Sequence, residues 1–276
     1  MFYDMHTHTN HSHDSKQDPE ESCLTAIKKG LRGIAITDHA DMWYFNERNS
    51  WEHITNSVTD AERLNEKYKE QLRVFRGYEV ADAYFDRGVT DKLINDLPCD
   101  VVIGSIHCLS YAGLSDAYSC MDFSDNVISY EKTVGVVKRY FDLLIDMAEN
   151  YDYDILAHLT CPFRYINGKY GRGLRSEDFE SEIKTVLRAV ISRKKALEIN
   201  TSGIGTPLNA TMPDTPVLLW YREMGGELIS LGSDAHSAER LGNGFEDVSR
   251  RLRELGFTNY AYYENRSLRI AELPKL

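Results

Sequence analysis

Short, nearly uninterrupted apolar runs recur along this chain, separated by longer amphipathic segments, and that alternation restricts the fold more than any other feature. The runs fall near Phe2–His6, Gly33–Thr37, Arg73–Glu79, Val101–Ile106, Ile155–His158, Ala196–Asn200 and Leu228–Ser233, with a weaker one at Tyr260–Tyr263. Ile34-Ala35-Ile36 and Val101-Val102-Ile103 lack the polar alternation of a half-exposed strand, so they read as parallel strands covered on both faces. Helix signals lie between the runs. Asp18-Pro19-Glu20-Glu21 supplies a cap, a proline in the first helical position and an acidic first turn, and Lys28-Lys29-Gly30 a basic end with a glycine stop. Further helices are expected from Ser50 to about Glu70, from Ser129 to about Asn150, from Ser176, from Thr215-Pro216 to Gly225-Gly226, and over about Glu246–Leu255. Seven or so strand–helix units with no Pro/Gly/Ser-rich linker predict one closed or nearly closed α/β barrel over residues 1–276. A doubly wound open sheet is the competing arrangement, but the first strand lacks the glycine-rich turn of a dinucleotide fold. Two connections are long, Cys108–Ile128 and Leu159–Arg175, and long connections in a compact barrel are often functional.

The histidines and several carboxylates fall where these strands end. His6 and His8 close the first run, His39 the second in Thr37-Asp38-His39, and Glu79 the third in Gly77-Tyr78-Glu79. His107 closes the fourth, His158 the fifth, and Asp234 and His236 the seventh in Gly232-Ser233-Asp234-Ala235-His236. Parallel strand ends in a barrel converge on one rim, where such folds place their chemistry. Residues i and i+2 of an extended segment point to the same side, which makes His6/His8 and Asp234/His236 two-pronged clamps. Mixed imidazole and carboxylate ligands suit zinc, iron or manganese, whereas calcium takes mostly oxygen. One closed zinc site needs about four ligands, so this surplus predicts two or three ions sharing Glu79 as a bridge. Asp38 reads as a partner behind the ligands. His11, His13 and His53 lie off the strand-end pattern and receive no role.

Charge and cysteines narrow the function. A formal net charge of −11 disfavours a long nucleic-acid footprint and fits a protein that binds cations. The five cysteines are scattered without Cys-x-x-Cys spacing, so a reduced cytoplasm is the expected compartment. The opening Met1-Phe2-Tyr3-Asp4-Met5 carries no basic or hydrophobic leader, and no apolar stretch approaches a membrane span. Nothing in the pattern indicates an oligomeric state. The segment Arg164 to Arg175 concentrates Arg164, Lys169, Arg172 and Arg175 beside the cluster in an otherwise acidic chain. That points to capture of a phosphate, with Arg164 the first choice because a guanidinium binds phosphate bidentately.

These segments together resemble the polymerase-and-histidinol-phosphatase (PHP) family. Asp4-Met5-His6-Thr7-His8-Thr9, followed by Ser12 and Asp14, is similar to its first motif, and the later motifs match in order over almost the whole chain. The resemblance implies a distorted (β/α)7 TIM-like barrel with up to three metal ions. One would be held by His6, His8, Glu79 and Asp234, a second by Glu79, His107 and His158, and a third by Asp14, His39 and His236. Within the family the chain looks like the stand-alone histidinol-phosphatase branch, through Glu198-Ile199-Asn200-Thr201-Ser202-Gly203 and Phe163-Arg164-Tyr165, although Thr160 stands where relatives carry an acidic residue. The function so implied is hydrolysis of L-histidinol phosphate in histidine biosynthesis. A metal-bridging hydroxide would attack phosphorus, and Asp234 or His236 would pass a proton to the leaving alkoxide. The competing readings are a phosphoesterase for a nucleotide or sugar phosphate, and a non-catalytic metal-binding barrel.

Overall fold

The computed structural model describes residues 1–275. Seven parallel strands form the frame: β1 (Tyr3–Thr7), β2 (Gly33–Ile36), β4 (Arg73–Ala81), β5 (Val101–Ser105), β8 (Ile155–Leu156), β9 (Ala196–Asn200) and β10 (Ile229–Gly232). They are hydrogen-bonded in that order. The ring closes where the end of β10 meets β1: Asp234 donates its N–H to the His6 carbonyl (2.8 Å), and His8 donates to the Ala235 carbonyl (2.9 Å). This is the expected distorted (β/α)7 barrel, not an open doubly wound sheet. Strand β3 (His39–Asp41) continues the line of β2 along β4 after a break at Thr37-Asp38. Beyond the ring, β11 (Asn259–Glu264) pairs with β10 at one position and carries β12 (Ser267–Glu272) antiparallel on its outer side.

Helices α1 (Pro19–Lys28), α2 (Ser50–Tyr68), α4 (Tyr130–Asn150), α7 (Thr215–Glu223) and α8 (Phe245–Glu254) stand close to where the sequence predicts them, whereas α6 (Glu180–Ser192) starts four residues later than expected, because Ser176–Phe179 forms a 3-10 turn. Asp18 accepts the N–H groups of Glu20 and Glu21, and Ser129 that of Lys132, so orphan donors at two helix starts are satisfied. Apolar residues on the helices and the outer strand faces form one large core, with Ile54, Leu64, Phe141, Val186 and Leu187 fully buried. A smaller core of Met5, Ala35, Phe75, Val101, Ile103, Ile155 and Ala196 fills the barrel itself.

The two long connections turn out to be structured. Cys108–Ile128 begins with a hairpin, β6 (Cys108–Tyr111) and β7 (Leu114–Ala117). Within Leu159–Arg175, Cys161–Tyr170 is a helix, α5, with a proline at its start and Gly171 in the left-handed conformation at its end. Its mixed polar sequence hides the helical period, as does that of α3 (Arg87–Asp96), capped by Asp86. Among the described residues, no helix is long and apolar enough to cross a membrane.

Candidate metal centre

Alternation along the strands explains why ligand-type side chains meet above the inner core. Ala35, Thr37 and His39 share one face of their strand, as do Phe75, Gly77 and Glu79, and Val101, Ile103, Ser105 and His107. The lower members pack inside the barrel, so the last member of each series faces its mouth. Two residues of the cluster, His6 and His158, break the period and need local devices. Between Asp4 and Thr7 the register of β1 against β2 shifts by one residue, a bulge that turns His6 toward the mouth directly after the inward Met5. At the end of β8, Ala157 is still in the inner core, and His158 adopts φ 24°, a conformation that costs energy for a residue with a side chain.

Glu79 lies at the centre, fully buried. Its Oε1 is 3.0 Å from His158 Nε2 and 3.3 Å from His107 Nε2. Its Oε2 is 2.9 Å from His39 Nδ1, 3.5 Å from His6 Nε2 and 3.7 Å from His8 Nε2. Asp234 Oδ1 stands 3.3 Å from His8 Nε2 and 3.9 Å from His6 Nε2. Asp14 spans the remaining pair, with one oxygen 3.5 Å from His39 Nε2 and the other 3.2 Å from His236 Nε2. All nine residues singled out in the sequence therefore meet in one cluster, in which His39 faces Glu79 with Nδ1 and Asp14 with Nε2.

The surroundings set which nitrogens carry protons. Glu198, also fully buried in β9, places Oε1 2.6 Å from His6 Nδ1 and accepts the His158 backbone N–H on Oε2 (2.7 Å). A proton on Nδ1 leaves His6 Nε2 as a lone pair aimed at His8 Nε2, 3.0 Å away. Ser12 donates to Asp38 Oδ1 (2.6 Å), so toward His8 Nδ1 (3.1 Å) its oxygen is the acceptor. Asp38 also accepts from Thr9 and Ser57 and so anchors that support. Asp41 does the same for His107 Nδ1 at 3.1 Å, and is itself held by Arg48 at 2.6 Å. Lone pairs thus converge where ions would lie. Glu79 Oε2 and His39 Nδ1 are buried without a hydrogen bond among the described residues, although they are neighbours. An inward set of imidazoles and carboxylates with such orphaned atoms fits divalent cations better than it fits itself.

Ionisation points the same way. Burial opposes charge on every group, but the surrounding carboxylates outweigh it at His6 and His107, which are pushed well above the ordinary histidine range, and at His39, raised to about 10. His8, buried and flanked by His39 and His236, falls to about 3. Glu79 and Asp234 overcome burial through nearby imidazoles and stay ionised far below the usual carboxylate range. Without metal, protons substitute for it.

Of the four cations expected beside the cluster, only Arg164 reaches it. Arg172 is bound by Asp125 and the Ile128 carbonyl, Arg175 by Asp178, and exposed Lys169 lies over the Tyr170 ring. Arg164, in the first turn of α5, donates to Ser202 Oγ (2.9 Å), which is 3.2 Å from Asp234 Oδ2. Thr160 precedes that helix, buried, and makes no capping bond. Above the cluster opens a cavity of about 400 Å³, whose walls include Tyr44, Tyr118, Ser119 and Tyr165.

Glu198 and Asp41 carry no role in the sequence reading, yet both hydrogen-bond to imidazoles of the cluster and hold them in place. The signal for Glu198 is a charged residue inside the otherwise apolar run Ala196–Asn200. Space for it comes from Gly232, where a Cβ would collide with Glu198 Oε1 and crowd His6. Glu198→Gln is expected to lower metal affinity about 10- to 100-fold while the barrel stays folded, because an amide can present an N–H to His6 Nδ1 and reverse its tautomer. Competitive chelator titration measures this; unchanged affinity would deny Glu198 the orienting role.

A ring of parallel strands whose mouth is lined by clustered imidazoles and carboxylates defines an α/β barrel with a polynuclear cation-binding centre. Residues 4–202 match the PHP domain, and the chain belongs to the PHP family. It is 26% identical over 262 residues to a histidinol-phosphatase of Lactococcus lactis subsp. lactis, covering 94% of this chain and 93% of that protein. A Thermotoga maritima relative named "probable histidinol-phosphatase" is 28% identical over 260 residues, covering 92% of both. The crystal structure of histidinol phosphate phosphatase from Lactococcus lactis, complexed with zinc, L-histidinol and phosphate, has the same fold, with a TM-score of 0.74 at 23% identity. That match covers 98% of this chain and 100% of the other.

Proposed function

We propose that this protein hydrolyses the phosphate monoester L-histidinol phosphate to L-histidinol and phosphate, with two or three zinc, iron or manganese ions held by the nine clustered residues. The observation that carries this reading is the bridging position of Glu79, each oxygen serving a different group of imidazoles beneath an open cavity. When bound, such ions offset charge on the phosphoryl oxygens and make a water acidic enough to attack near neutral pH. His6, His8, Glu79 and Asp234 would hold one, Glu79, His107 and His158 a second, and Asp14, His39 and His236 a third. The chain's own residues do the rest. Arg164 faces the cavity beside Asp234 and is positioned to take phosphoryl oxygens. His236 is the most exposed imidazole of the set, and Asp14 and Asp234 raise its proton affinity despite burial. It serves the leaving alkoxide as proton donor, and the ionised Asp234, 3.6 Å from its Nδ1, holds the imidazole in its protonated form for that step. The substrate's organic part would lie against Tyr44, Tyr118 and Tyr165.

The relatives' names support the choice of histidinol phosphate, and the unit is taken as residues 1–276. Five unpaired cysteines support a cytoplasmic home. The test is a panel of phosphate esters, including nucleotides and sugar phosphates, run on protein of known metal content. kcat/KM should be highest for L-histidinol phosphate; a better nucleotide or sugar phosphate would replace the substrate but keep the chemistry. Less than one equivalent of metal with no hydrolysis after reconstitution would leave a non-catalytic barrel. Arg164→Ala should raise KM about tenfold, the worth of one charge-assisted contact, with metal content unchanged. If KM and kcat both match the parent protein, Arg164 does not take the phosphate.

A further inference from the structure

Three arginines line the cavity, Arg48, Arg164 and Arg240, and they differ in how their charge is balanced. Arg48 is ion-paired with Asp41 at 2.6 Å and lies over the Tyr44 ring at 4.3 Å, so its charge is already used. Neither Arg164 nor Arg240 has a carboxylate within ion-pair distance among the described residues. Arg240 arrives from another element, the short 3-10 turn Ala238–Arg240 that follows His236. Yet it ends at the same place as Arg164. Its Nη2 donates to the carbonyls of Ser202 (3.1 Å) and Ile204 (2.9 Å), while Arg164 holds the Ser202 hydroxyl.

One nitrogen of Arg240 thus makes both anchoring bonds, and the N–H groups of Nη1 and Nε remain for a ligand. A fixed guanidinium has lost the freedom that a surface arginine would lose on binding, and its fork matches phosphate geometry. Two half-buried cations beside one serine, neither in direct ion-pair contact, form a local anion-binding patch in a protein of net charge −11. We propose that Arg240 is a second phosphate-binding guanidinium, pairing with Arg164 across Ser202 to grip the phosphoryl group of the ester and the released inorganic phosphate. This rests on the phosphoesterase reading above.

A purely mechanical role is the rival, since Arg240 also ties down the segment around Ile204. Asn243 separates the two, because its side chain donates to the same Ile204 carbonyl (3.4 Å) without carrying charge. The experiment uses metal-loaded protein titrated calorimetrically with inorganic phosphate, alongside product inhibition, KM and thermal unfolding. Arg240→Gln should weaken phosphate binding and raise KM about tenfold, the scale of one lost charge-assisted pair, with kcat changed less. Arg240→Lys should recover part of that loss, and Asn243→Ala should leave phosphate affinity as it was. The proposal is overturned if Arg240→Gln binds phosphate within twofold of the parent protein. It is overturned equally if Asn243→Ala weakens binding as much. Failure of the parent protein itself to hydrolyse any monoester counts against the phosphoesterase reading and is seen before any variant is made.

Discussion

Glu79→Gln is expected to reduce turnover about a thousandfold or more, equivalent to about 4 kcal/mol of transition-state stabilisation, with the barrel still folded. The size follows from where the carboxylate stands. Each oxygen faces a different set of imidazoles, so in the proposed assignment one substitution weakens two ion sites and removes the charge they share. Glutamine keeps the volume, which protects the packing of β4, but it offers one neutral oxygen and an N–H that would point at a lone pair or an ion. Metal analysis should find occupancy reduced, and circular dichroism should find the parent secondary structure. A variant that keeps full metal content and parent turnover would show that Glu79 is not the bridge.

Destabilisation of the apo protein by that substitution is expected too, since buried His6, His39 and His107 owe their raised proton affinities partly to this carboxylate. Removing one partner of a buried ionic group leaves the others uncompensated. The variant should therefore lose more stability as free protein than when whatever metal it still binds is present.

What could be read in advance, and what could not, follows from the range of the interactions. The strand-end histidines were legible because period-two alternation and a parallel barrel carry local position into spatial convergence: Glu79 sits two pleats above Phe75, and His39 above Thr37 and Ala35. The bulge at Met5–His6 and the strained His158 were not, because neither leaves a composition signal; both matter only relative to neighbouring strands. Glu198 was visible as a charge in an apolar run, but its partner His6 lies 192 residues away, beyond any pattern in a window. The basic segment after His158 misled in a different way. Four cations looked like one patch, whereas the turn of α5 sends Arg164 inward and hands Arg172 and Arg175 to Asp125 and Asp178. Helices α3 and α5 were not foreseen: each is ten residues long, too short and too polar to display an apolar period, and only α3 has a capping side chain, Asp86.

Stripping the metal should take up protons and lower the melting temperature without unfolding the protein at room temperature. In the free protein, carboxylates hold His39 at about 10 and His6 and His107 well above the normal range, so these imidazoles are protonated at neutral pH. A ligand must be neutral to bind, and each ion that enters therefore expels protons. The sign is fixed: metal binding acidifies the solution, and apparent affinity rises with pH as these groups lose their protons. His8, lowered to about 3, adds nothing to the release. Calorimetric titration of zinc or manganese into the chelated protein, in buffers of different ionisation enthalpy, counts the protons. The stabilising effect scales as the logarithm of free metal over its dissociation constant, about 4 kcal/mol at a thousandfold excess. That is a large share of the marginal stability of an ordinary domain. The chelated protein survives because its charges already neutralise one another, imidazolium against carboxylate, around the same centre. Metal binding without proton release, or a melting temperature indifferent to chelation, would mean that the ions bind somewhere other than this cluster.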